Sequence, residues 1–188
     1  MTDEEREYNE RMLRQDFERR LPLRLDRQAR IPVHPALPTQ FFAQASAECR
    51  HLFFDERFYG CIVLTQAVVE GISKFVGDRK KLRTGSSFKQ RIEHWKKLKP
   101  AVISERVCDA FLRVHGNDRH DFHHLNSNVE QDKRELERRA EECLLGLYEI
   151  QSELFACPIV KPGELHFVNP EYWDIAADGG VRIYADCV

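Results

Sequence analysis

The chain has little bias of charge: 29 lysines and arginines stand against 31 aspartates and glutamates, a formal net charge of −2 over 188 residues. That balance excludes a generally cationic protein that would adhere to any polyanion. Nor is there an apolar run near the roughly 18 residues that a bilayer span requires. The opening Met1, Thr2, Asp3, Glu4, Glu5 is the opposite of a basic, apolar signal segment. No membrane association and a cytoplasmic location are the expectations. Six cysteines (Cys49, Cys61, Cys108, Cys143, Cys157 and Cys187) form no C-x-x-C pair, which argues against a zinc ribbon and leaves them as small core residues. Gly-rich phosphate loops, Ser/His/Asp nucleophile patterns, internal repeats and low-complexity tracts are also absent. No cofactor is expected.

What is present is 42% apolar and 32% charged residue content, enough to bury one core. Residues 2–20 are charged almost throughout, with Tyr8, Met12, Leu13 and Phe17 as a thin apolar stripe, and read as a helix that packs weakly or on a partner. Four prolines between Leu21 and Pro38 predict a linker. From Thr39 the apolar period becomes helical. A helix is expected to end near Asp55, and a second over 58–76 carries Phe58, Cys61, Ile62, Thr65, Val68, Val69, Ile72, Phe75 and Val76 on one face, closed by Gly77 and Asp78. Two further helices are expected at about 87–98 and 101–114, the latter broken by Gly116. A fifth, opening on the capping-box pattern Ser127-x-x-Glu130, runs to about Ala156. Short strands at 165–168 and 181–184, with a turn at 178–180, suggest a β-hairpin appendage. The predicted fold is therefore all-α: an up-and-down helical bundle over 39–156, preceded by an N-terminal helix and Pro-rich linker over 1–38 and followed by a small C-terminal β-hairpin appendage over 157–188.

Chemistry concentrates at the junction of the fourth and fifth helices, where four of the eight histidines fall within ten residues: His115, His120, His123 and His124. Arg119-His120-x-x-x-His124, behind an apolar helix with Glu70 near its middle, resembles the hallmark Arg-x4–6-His of the HEPN superfamily, especially its bacterial branch of DUF4145-like domains. With 20 Arg and 8 His in the chain, the loose pattern is expected about 2.6 times by chance and matches three times: Arg27/His34, Arg113/His120 and Arg119/His124. Requiring the four-residue spacing and His, Asn or Asp directly after the Arg lowers the expectation to about 0.1, and only Arg119/His124 passes.

The resemblance, which covers about residues 39–156, implies a HEPN-like bundle and a metal-independent endoribonuclease that works as a homodimer, its composite cleft built from two copies, in a defence or toxin–antitoxin setting with a protein partner or antitoxin. RNA cleavage without a metal needs one group to take the 2′-OH proton, one to protonate the leaving 5′-oxygen, and positive charge for the phosphorane. Histidine titrates in the right range and arginine offers a fork of donors. Arg119 and His124 would carry this chemistry. His120 would polarise or orient the pair, Asn117 would bond the scissile phosphate or a backbone group, and His123 would support them.

Three other readings start from the same residues. Arg119 pairs with Asp118, Asp121 or Glu70, and the histidines cap helix ends or line a partly buried junction. A non-catalytic module of the same fold binds RNA, a nucleotide or a protein partner. His120, His123 and His124, at i, i+3 and i+4 of a helix, hold a metal with His115 or Asp121 as a further ligand. Charge adds a candidate RNA surface. Residues 78–99 hold nine basic groups against Asp78 and Glu93, whereas 129–156 carries 8 acidic to 4 basic residues and 157–188 carries 5 to 2. Lys80, Lys81, Arg83, Lys89, Arg91, Lys96 and Lys97, with Arg113, would either track phosphates or form a solvated helix face. Trp95 and His94 would stack on a base if exposed; Trp95 also continues the Phe88–Ile92 core stripe.

Overall fold

The computed structural model describes residues 1–33, 36–82, 87–98, 101, 103–116, 119–124, 126, 127, 129, 132–161 and 164–184, His120 and Val160 by their backbone alone. The chain divides into two compact units, Met1–Pro32 and Val33–Val188.

The first unit is one helix, α1 (Asp3–Arg30), opened by a capping box in which the Thr2 hydroxyl accepts from the Glu5 amide and the Glu5 carboxylate accepts from the Thr2 amide. It runs ten residues beyond the expected end and passes through Pro22. One interior proline removes one backbone hydrogen bond at a cost of about 3 kcal/mol, and the good helix formers after it keep the helix going. Acidic residues in its first turn and Arg27 and Arg30 in its last complement the helix dipole. Tyr8, Met12, Leu13 and Phe17 stay exposed.

The second unit is an all-α bundle of α2 (Ala43–Phe54), α3 (Phe58–Arg79), α4 (Phe88–Lys97), α5 (Glu105–Gly116), α6 (Arg119–His124) and α7 (Lys133–Leu154). The centre is α3, which packs against each of the other five. Its position follows from its sequence. Cys61, Ile62, Val69, Ile72 and Val76 are fully buried, and Glu70 is the only charged residue between Phe58 and Ser73. By length and composition α3 also satisfies the requirement for a membrane span, which counting unbroken runs overlooks; most of that stretch is buried inside the bundle. Such composition is shared by core helices and spans.

Helix ends follow local chemistry. Instead of closing at Gly77 and Asp78, α3 ends with a Schellman motif, the Leu82 amide donating to the Gly77 carbonyl and the Lys81 amide to the Asp78 carbonyl, with Lys81 at φ 53° where glycine is usual. The expected start of the last helix at Ser127 is corrected to Asp132, whose carboxylate accepts from the Arg134 and Glu135 amides. The frame Asp132-x-x-Glu135 competes with Ser127-x-x-Glu130; Glu130 lies outside the described residues.

The small C-terminal β appendage is present, built from two short antiparallel ladders instead of one pairing of 165–168 with 181–184. β2 (Ile159–Lys161) pairs with β3 (Glu164–Leu165), while β4 (Ile183–Tyr184) reaches back to β1 (Leu37–Pro38), ahead of the bundle. The turn itself forms as expected, with Gly179 at φ 82° and a bridge between Ile175 and Val181. Between the ladders, Tyr172 and Trp173 are buried. Tyr172 closes an aromatic cluster with Phe42, Phe75 and Phe155 at centroid separations of 5.4 to 6.2 Å, an arrangement worth ~0.5–1.5 kcal/mol per pair beyond burial.

Two polar features fix α7. Gln151 Nε2 donates to Ser46 Oγ (2.8 Å), which in turn donates to the Phe42 carbonyl (2.8 Å), a buried chain joining α7 to α2. Gly146 lets α5 approach: a Cβ there would lie 2.4 Å from Val114 Cγ2. Of the cysteines, Cys49, Cys61, Cys108 and Cys143 are buried free thiols and Cys157 is partly buried; Cys187 lies outside the described residues. Burial pushes the Cys49 thiol up to about 12 and the Cys108 thiol up to about 11.

Gly146→Ala should therefore destabilise by ~1–3 kcal/mol through overpacking, although alanine is the better helix former by up to ~1 kcal/mol. Thermal melts by circular dichroism check this, and adding Val114→Ala should recover part of the loss. A single variant melting at or above the wild type would show that α5 and α7 are not held this close.

Candidate functional site

The histidine junction is built by α5 and α6. The final turn of α5 carries Val114, buried against Gly146, and His115 beside it. Asn117 lies outside the described residues. The six-residue α6 then turns Phe122 into the core, 2% exposed, its ring 5.7 Å from Tyr59 on α3. Asn126 closes α6 by donating through its side chain to Asp121 Oδ1 (2.9 Å) and through its backbone to the Asp121 carbonyl (3.1 Å). With Phe122 inward, Arg119 reaches α3 and His123 and His124 stay exposed.

Arg119 Nη2 donates to Glu70 Oε2 at 2.9 Å, and Lys74 Nζ lies 3.1 Å from the other oxygen, Oε1. Of the three acidic residues offered as partners for Arg119, the structure selects Glu70; Asp121 is bonded by Asn126, and Asp118 lies outside the described residues. The pair is half-buried, Arg119 at 39% and Glu70 at 25% side-chain exposure. Arg119 Nε is buried with no hydrogen-bond partner among the described residues. Burial raises the Glu70 carboxyl, but the hydrogen bond and charge of Lys74 and the charges of Arg119 and His115 outweigh it and hold the group below the usual carboxylate range.

His115 stacks flat on Phe88 of α4, centroids 3.9 Å apart at 9°, and its Nε2 is buried without a hydrogen-bond partner among the described residues. Burial, then the adjacent Arg119 charge, push this imidazole down to about 4. His123 is also shifted down, by partial desolvation and then by Arg119 and His124. Both rings are therefore biased to the neutral form near pH 7. The structure brings together Arg119, His123 and His124 with Glu70, Lys74, Arg91 and His115. The side chain of His120 is outside the described atoms. Among the described residues no three His, Cys, Asp or Glu side chains are placed to hold a metal ion.

Much of the basic stretch is paired within the chain. Lys80 pairs with Glu171, Arg79 with Asp174, Lys96 with Glu105 (2.9 Å) and Asp109 (2.8 Å), Arg113 with Glu149 (2.7 Å), and Lys89 lies 3.9 Å from Glu93. Arg91 is turned inward, 5% exposed, over the Phe88 ring; burial lowers it and the charges of Glu70 and Asp78 oppose the shift. Lys81 and Lys97 are exposed, and Arg83 lies outside the described residues. Trp95 is fully buried, so stacking on a base is excluded for it, while His94 is exposed. Apart from Glu93 on α4 itself, these acidic partners sit on α5, α7 and the C-terminal segment. Glu70 and His115 carried a local signal, a lone charge inside an apolar helix and a histidine on the last turn of another, but their partners are non-local.

Comparisons with protein-family models, curated proteins and solved structures gave no match to this chain.

The His115 shift has a stability consequence whose direction is fixed. With its folded value near 4 and its ordinary value at 6.5, the neutral ring favours the fold fully above pH 6.5, and this contribution is lost as pH falls from 6.5 towards 4. It amounts to about 1–2 kcal/mol once solvent screening at the open edge of the ring is included. Glu70 acts in a lower window, its contribution present above about 4.5 and lost as pH falls through its depressed folded value. Lowering pH from 7.5 to 5 should thus reduce the melting temperature, and His115→Gln should shrink that difference. An unchanged pH dependence in the variant, read by differential scanning fluorimetry, would remove His115 as its source.

Proposed function

We propose that this chain is a HEPN-type endoribonuclease that cleaves RNA without a metal, acting in the cytosol as a homodimer in a defence or toxin–antitoxin setting. One observation supports this above the others: a half-exposed guanidinium, held by a carboxylate, stands beside two exposed imidazoles of which His123 is biased towards neutrality. Arg119 would place its charge on the phosphate and stabilise the phosphorane as negative charge develops. A neutral imidazole, His123 or His124, would take the 2′-OH proton, and the oxygen so freed would attack phosphorus. The P–O5′ bond would break as a protonated imidazole, supplied by the second copy, gives its proton to the leaving oxygen. The products are a 2′,3′-cyclic phosphate and a 5′-hydroxyl. His120 and Asn117 retain the orienting roles that the resemblance implies.

A second reading is favoured by a different observation: most of the described basic side chains are already paired within the chain, which limits backbone tracking along a long RNA. In that reading the same site belongs to a non-catalytic module that binds a short RNA, a nucleotide or a protein partner. Cleavage of RNA separates the two.

Purified protein in EDTA should cut RNA, and His124→Ala and Arg119→Ala should each lower the rate by ~10²–10³-fold, with cyclic-phosphate ends on the products. Cleavage indifferent to both substitutions would overturn the assignment. Activity abolished by the chelator would transfer it to the His120/His123/His124 metal site.

A further inference from the structure

We propose that Glu70 is the positioning residue of this site: its ion pair fixes the Arg119 guanidinium relative to the imidazoles of His123 and His124. The inference rests on the ribonuclease reading above and deepens it by naming the group that orients the phosphate-binding arginine.

The placement of Glu70 is the first reason. A carboxylate in the middle of the most buried helix is costly unless paired and hydrogen-bonded, and an apolar residue would suit α3 better. The second is geometric. Oε2 takes Arg119 and Oε1 lies within reach of Lys74, so both oxygens are engaged and the carboxylate cannot swivel without losing a contact. Among the described residues Glu70 is the sole acceptor for Arg119, whose Nε has none. Removal of Glu70 would leave the guanidinium tethered only by its own flexible stem. A misplacement of about 1 Å at such a group can cost ~10²-fold in rate.

The third reason is the charge around it. The groups facing Glu70 are cationic or able to become so: Lys74 on its own helix, Arg91 on α4, His115 on α5, and Arg119 and His123 on α6. Asp78 adds negative charge towards Arg91. Glu70 is therefore the counter-charge that keeps the cations together, and its field opposes the downward shift of His123.

The test is Glu70→Gln, which keeps shape and removes charge, with Glu70→Asp keeping the charge on a shorter stem. In RNA cleavage, Gln should lower kcat by ~10–100-fold with KM unchanged or reduced, since a negative charge beside the phosphate has gone, and Asp should restore part of the rate. In parallel, imidazole resonances followed by NMR against pH should show His123 titrating at lower pH in the Gln variant than in the wild type. A Gln variant with wild-type kcat, or a His123 titration that does not move, overturns the proposal. If the wild type cleaves no RNA, the ribonuclease reading alone falls, and the His123 titration still decides whether Glu70 governs the cluster. Should the Gln variant melt below working temperature, the Asp variant carries the test: its shorter stem should lower kcat below the wild type, and a wild-type kcat in Glu70→Asp would overturn the proposal.

Discussion

A helix flanked by five others must keep charge off most of its surface, and between Phe58 and Ser73 α3 carries only uncharged side chains, Glu70 being the one charged exception. The consequences extend outward. A half-buried carboxylate needs cations, so Lys74 is recruited from the next turn and Arg119 from α6. Arg119 can arrive because Phe122, three residues on, anchors α6 on the same helix. The site is the place where the packing of α3 is incomplete and is closed electrostatically.

The rest of the bundle holds that closure in position. Gly146 brings the last turn of α5 close to α7, which sets where His115 lies and where the chain must re-enter as α6. Phe88 of α4 supplies the flat surface beneath His115. At the opposite end, Tyr172 and the Lys80–Glu171 and Arg79–Asp174 pairs join the C-terminal segment to α3 and its C-terminal turn. One central helix thus carries the histidine junction in its middle and the C-terminal segment at its end.

The sequence was most legible where the physics is local. Apolar periodicity located α2, α3, α4, α5 and α7 and the all-α class, because each helix presents a repeating face to one core. The positions of Arg119, His123 and His124 at a helix junction were also legible, from Gly116 and the polar run beyond it. What failed was non-local. The β1–β4 pairing joins residues about 145 apart, and no turn signal connects them. The pairing of the charge stripe over 78–99 was not legible either, because its partners Glu105, Asp109, Glu171 and Asp174 lie downstream of it. Helix starts were decided between two similar local frames, Ser127 and Asp132, that differ little in capping strength. Six-residue α6 is too short for any periodicity to declare it.

The buried thiols give the core a chemical memory. Cys49, Cys61 and Cys143 come from three different helices and are close enough for their charges to influence one another, and burial holds Cys49 and Cys61 far from the thiolate form. Since the thiolate is the reactive species, these sulfurs stay silent towards alkylating agents and oxidants for as long as α2, α3 and α7 remain packed. Once the helices part, each becomes an ordinary cysteine. The rate at which a thiol reagent labels them is then a clock for the opening of the bundle, timed against the half-buried Cys157 in the same molecule.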